Sequence, residues 1–249
     1  MNFVFGPRRL RSQWRLAVVA GGLALCIAYS AAWAQAAGNL CGELPNHYGP
    51  YDYRYVRDGR LSIVEKVHFT PGIESLSRPG TTTFGMMASD VAYTLHTFPN
   101  HHRALITMVR LEDRHRNEQP AGATYTVACY FDRAVRFAPD DSVVRSLYAH
   151  YLAKYRKNRA GALVQLAAAQ RHANDNPLTY FNVGLLYLEI GEHEQALSAA
   201  HRAMALGLTR TELRDKLVVV GKWSEAAALP SSAAASESAS APADKSASQ

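Results

Sequence analysis

The chain has 249 residues, of which 48% are hydrophobic and 19% charged. That is ordinary globular composition, and the length allows one or two domains. The formal net charge is +6, but Arg8, Arg9, Arg11 and Arg15 lie in a stretch, 1–34, that holds no acidic residue. Without them 23 basic groups face 21 acidic ones. That balance argues against a nucleic-acid binder.

Residues 1–34 read as a secretory signal peptide. An arginine-rich start precedes an apolar run from Leu16 to about Tyr29, and Ala32-Trp33-Ala34 fits the cleavage rule. The mature chain is expected to start near Gln35 and to be periplasmic or secreted. The alternative is an uncleaved anchor, for which the apolar run is short of the ~20 residues that span a bilayer. Cys26 leaves with the signal, so Cys41 and Cys129 remain as an even pair in an oxidising compartment. A disulfide between them is expected to stabilise the fold by on the order of 4 kcal/mol.

Residues 35–88 read as an irregular segment, rich at 41–60 in Tyr, Pro and Gly. Asp58-Gly59 could close a hairpin between YRYV and LSIVEKVHF. Thr70-Pro71 predicts a short helix, with Thr as cap and Pro in the first turn. Residues 81–88 read as a loop, after which Ser89-Asp90 is expected to cap a helix running to about Phe98.

A second helix is predicted from His101 to about His115, with Leu105, Met108 and Leu111 on one face. A third runs from about Thr124 to Phe137, with Val127, Phe131 and Ala134 on one face. Those three residues precede Ala162, Leu166 and Ala169 by 35 positions, and these precede Ala196, Ala200 and Ala203 by 34. Between them, 177–208 forms two amphipathic runs broken at Gly191-Glu192. Tyr180, Val183, Gly184 and Tyr187 share a face of the first, and Gly207 supplies the helix end. The small residues at 184, 196, 200 and 203 let two antiparallel helices approach closely. Residues 211–220 predict a capping helix with Leu213, Leu217 and Val220 turned inward, and Trp223 folding over its end. From Leu229 onward the chain is almost all Ala, Ser and Pro, a composition that cannot bury a core.

The pattern at 177–208 resembles the tetratricopeptide repeat, a helix-turn-helix unit of about 34 residues. Its first-helix signature looks like Tyr180, Val183, Gly184 and Tyr187, and its small second-helix positions look like Ala196 and Ala203. Ala200 and Leu208 depart from the usual aromatic and proline. The stretches CGELPNHYGPYDYR, VEKVHFTP and DVAYTLHTFPNHHRAL also resemble an uncharacterised group of exported bacterial repeat proteins. The resemblance implies an all-α array over 89–223 of about three repeats, at 101–139, 141–176 and 177–208, with the capping helix after them. It also implies that the first helix of each repeat lines a binding wall. Inward positions would then be Arg103, Ile106 and Arg110 in the first repeat and Phe181, Asn182 and Leu185 in the third. The middle repeat offers Ser146 and His150, or Leu147 and Tyr151, according to its frame.

Chemistry-bearing motifs are sparse. His96, His101, His102 and His115 cluster in sequence, yet no pair has the i, i+4 spacing of a helical metal site and no H-E-x-x-H is present. There is no G-x-S-x-G, P-loop or dinucleotide fingerprint. The expected function is therefore a scaffold without catalysis, metal or cofactor, binding a protein or peptide of the cell envelope. The alternatives are an exported metal-dependent enzyme using the histidines and a membrane-anchored adaptor.

Overall fold

The computed structural model describes residues 40–77 and 86–225. Residues 1–34, expected to be a signal peptide, most of the loop at 81–88 and the Ala/Ser-rich tail lie outside the described residues. Those described are all-α, with ten helices and no strand. None of these helices is long and apolar enough to cross a membrane. The chain divides into two compact units between His172 and Ala173.

Unit 1 contains α1 (Arg60–His68), α2 (Pro71–Glu74), α3 (Met87–Thr97), α4 (His102–His115), α5 (Val127–Phe137), α6 (Ser142–Lys154) and α7 (Arg159–Arg171). Unit 2 contains α8 (Pro177–Glu189), α9 (His193–Ala205) and α10 (Glu212–Val219). Five successive helices start on a side-chain cap: His101, Thr126, Asp141, Asn158 and Asn176 each accept a backbone N–H of the first turn. Such a cap is worth about 1 kcal/mol, so these starts are written locally.

The recurring positions are the core. Val127, Phe131 and Ala134 on α5, Ala162, Leu166 and Ala169 on α7, and Ala196, Ala200 and Ala203 on α9 are all buried. On α4 the face Leu105, Met108 and Leu111 is fully buried, and α4 packs against both α5 and α6. In unit 2, Gly184 lets α8 approach its neighbours. A Cβ there would collide with Leu213 and press on Ala199 Cβ at 3.2 Å. Gly207, at φ 88°, ends α9. Its N–H donates to Met204 O at 2.9 Å and that of Leu208 to Ala203 O at 3.0 Å, satisfying carbonyls the helix leaves open.

The N-terminal segment is tethered as expected: Cys41 and Cys129 form a disulfide across 88 positions. Arg133 donates to the carbonyls of Cys41 and Glu43, and Arg136 to that of Gly42. Further along, Tyr51 N–H donates to Thr97 O at 2.8 Å and Tyr53 N–H to Asn100 Oδ1 at 2.9 Å. A chain without its own ladder is thus satisfied by the ends of helices it crosses.

Four expectations are corrected. The hairpin at Asp58-Gly59 is absent, and 60–68 is helix. Only Val64 of that stretch is buried, so no alternating apolar face exists to hold a strand, and α1 is fixed instead through Glu65. The segment read as irregular to residue 88 therefore carries α1, α2 and the start of α3. Helix α3 begins at Met87, two residues before the expected cap, because Asp90 is fully buried and bonds His68 Nδ1 at 2.8 Å rather than capping. Leu213 and Leu217 do face inward on α10, but Val220 is half exposed beyond its end. Trp223 folds back to meet the His201 ring at 4.9 Å.

Candidate functional site

Helix α4 is amphipathic, so with Leu105, Met108 and Leu111 turned into the core its opposite face must look outward. Ile106 and Arg110, one turn apart, lie on that side. Helix α6 packs beside α4 and brings Leu147, His150 and Tyr151 to the same place. With Val109, Phe131 and Tyr155 these residues line an open groove of about 160 Å³. Both frames considered for the middle repeat contribute: Leu147 and Tyr151 from one, His150 from the other. Ser146 is not in the lining; its hydroxyl donates to Ser142 O at 2.8 Å.

The groove floor is a stack of rings. Phe131 lies 5.1 Å from Tyr148 and 5.1 Å from Tyr151, and Tyr151 lies 5.7 Å from Tyr155. Such pairs add about 1 kcal/mol each beyond area burial and set ring orientation. The Tyr151 hydroxyl donates to Glu112 Oε2 at 2.9 Å and accepts from Arg156 Nε at 2.7 Å. Arg156 also pairs with Glu112 and Glu118. Burial pushes the Tyr151 phenol well above its ordinary value, against the hydrogen bond from Arg156. The phenol is therefore a neutral, fixed donor, and one guanidinium pairs with both glutamates beside the groove.

The charged rim differs from expectation. Arg110 is exposed and has no ion pair or hydrogen bond among the described residues. Arg103, expected beside it, is committed elsewhere: it pairs with Glu65 of α1 and, at 2.9 Å, with Glu74 of α2. Its guanidinium lies 5.5 Å from the Phe69 ring centroid. Arg103 thus clamps two short helices to α4 and does not line the groove.

In unit 2 the expected wall residues divide. Phe181 is buried, with the Arg210 guanidinium 4.5 Å from its ring centroid, so it serves the helix pair. Asn182 is exposed and Leu185 half-buried on α8. The hollow over Phe181 holds about 10 Å³, room for one water at most.

The histidines have separate tasks. His101 is fully buried, and its Nδ1 accepts from Ala104 N–H at 3.1 Å. In the neutral ring Nε2 then carries the proton and donates to Glu65 Oε1 at 3.1 Å. Burial, with Arg103 and His102 nearby, depresses its pKa to about 3. His102 Nε2 donates to Asp141 Oδ2 at 2.9 Å. Burial works against the Asp141 carboxylate, but the bond and charge of His102 hold its pKa below the ordinary value. His96 is half-buried beside Tyr125, and burial followed by the Arg133 charge lowers its pKa. His115 is exposed in the last turn of α4. Among the described residues no three His, Cys, Asp or Glu side chains are arranged to hold a metal ion.

Sequence reasoning missed Val109, Tyr155, Glu112 and Arg156 at this site. Tyr155 follows Tyr151 by four residues, a spacing that shares a helix face. Arg156 lies beyond the end of α6, and its pairing with Glu112 across 44 positions has no local signal. No protein-family model, curated protein or solved structure matches the chain.

Proposed function

We propose that the protein is an exported, non-catalytic scaffold of tetratricopeptide-like helical hairpins that binds a partner protein or peptide of the cell envelope through the groove between α4 and α6. The observation that carries this reading is the convergence of Ile106 and Arg110 with Leu147, His150 and Tyr151 on one concave, mostly apolar surface. Concave apolar sites with a few polar groups are the usual form of a binding site. The recurring buried positions on α5, α7 and α9 support the repeat architecture, and the Cys41–Cys129 disulfide fits an oxidising compartment. The separate duties of the four histidines, each in a different environment, favour binding over metal-dependent catalysis.

The test is site-specific photocrosslinking in cells, with a photoreactive residue at position 106 and a control at exposed position 164 on α7. A discrete adduct from position 106, absent from 164 and lost on Arg110→Glu, is the expected result. Equal labelling from both positions, or none from either, would remove the groove as the binding surface.

A further inference from the structure

We infer that the α4–α6 groove reads a peptide segment bearing one bulky apolar side chain with a carboxylate within two residues of it. This rests on the binding reading above and specifies its ligand. The volume of the groove suits a single side chain. About 150 Å³ of apolar space takes one benzene ring, and the groove offers about 160 Å³ between Ile106, Leu147, Phe131 and Tyr155. One aromatic or branched aliphatic side chain fills it.

The rim of the groove carries charge. Arg110 lines the groove as a guanidinium with no ion pair among the described residues. Lys154 is a second cation near the groove, its Nζ 5.4 Å from the centroid of the Tyr155 ring that lines it. The glutamates nearest the floor, Glu112 and Glu118, are turned to Arg156 and neither pairs with Arg110. Arg110 therefore offers an open cationic group at the groove, although beyond residue 34 the chain is nearly balanced in charge. An apolar anchor entering between the rings brings its flanking residues over Arg110, whose planar fork suits a carboxylate. The apolar side chain supplies affinity and the carboxylate fixes direction and excludes basic segments.

The probe is a set of fluorescein-labelled Gly/Ser decapeptides carrying one Phe, one Asp, both at spacings of one to four, or Phe with Lys. Binding to the full mature chain is read by fluorescence anisotropy. Phe with Asp at a spacing of one or two should bind at least tenfold more tightly than Phe alone, Asp alone or Phe with Lys. Arg110→Glu should remove that preference and turn it toward the Phe/Lys peptide, while Ile106→Ala should weaken all Phe peptides alike. A thermal melt of each variant establishes that it is folded. Equal binding of Phe/Asp and Phe/Lys peptides, no binding above the Gly/Ser background, or an unchanged preference in Arg110→Glu would overturn the inference. Failure here with a retained crosslink from position 106 sinks only the ligand assignment, whereas loss of that crosslink as well sinks the binding reading beneath it.

Discussion

Each of the two units is held together internally by different physics. In unit 2 the contacts are short in sequence: alanines of α9 and Gly184 of α8 meet, and glycine turns close each helix. In unit 1 the decisive contacts are long-range and mostly polar or covalent. They include the Cys41–Cys129 bridge, the Arg54 pair with Asp140, the Asp141 contacts with Asn100 and His102, and the Arg156 cluster. A helical pair built from small residues is specified where it stands. A helical pair that must also dock an irregular segment needs partners that are distant in the chain and chemically matched.

Acid should separate the two most strongly. His101 is neutral in the folded state, with a pKa near 3 against 6.5 in the unfolded chain. The folded state thus binds fewer protons, so the stabilisation is fully present above about pH 6.5 and is lost as pH falls toward 3. The shift corresponds to on the order of 5 kcal/mol, and the depressed Asp141 adds to the loss at the acid end of that window. Hydrogen exchange read peptide by peptide should show α1 and the start of α4 opening first on acidification. Uniform opening of both units would break the distinction.

Reducing the disulfide, or replacing it with Cys41→Ser and Cys129→Ser, should lower the stability of unit 1 by on the order of 4 kcal/mol. Peptides from α8 and α9 should keep their protection, and a matching loss there would show that the units unfold as one. In unit 2 the sensitive positions are small residues. Gly184→Ala should cost about 2 kcal/mol, since Leu213 must yield and Ala199 is already close. Gly207→Ala should cost about 1 kcal/mol for a side chain at positive φ. Urea denaturation followed by the fluorescence of Trp223, which packs on α9, reads both.

Much of the fold was legible. Helices α4 to α9 fall near their expected places because caps such as Asn176 and Thr126 and the spacing of Val127, Phe131 and Ala134 act within one or two turns. Helix α1 was not legible, because LSIVEKVH has one buried residue and owes its place to the pairing of Glu65 with His101 and Arg103. The groove was half legible: Ile106 and Arg110 follow from helical periodicity, but no local rule distinguishes Arg103, engaged by glutamates 29 and 38 positions away, from Arg110.

The sequence by itself determined the all-α class, the recurring buried positions and the cysteine pair, because these depend on periodicity, local capping and residue count. Only the tertiary structure decided how the N-terminal segment docks, which arginine stays unpaired and which residues of α6 face the groove. Those outcomes depend on the pairing of polar groups far apart in the chain. Whether a charge is paired or left open is a property of the neighbours that folding brings to it, and the residue's own position in the sequence does not carry it.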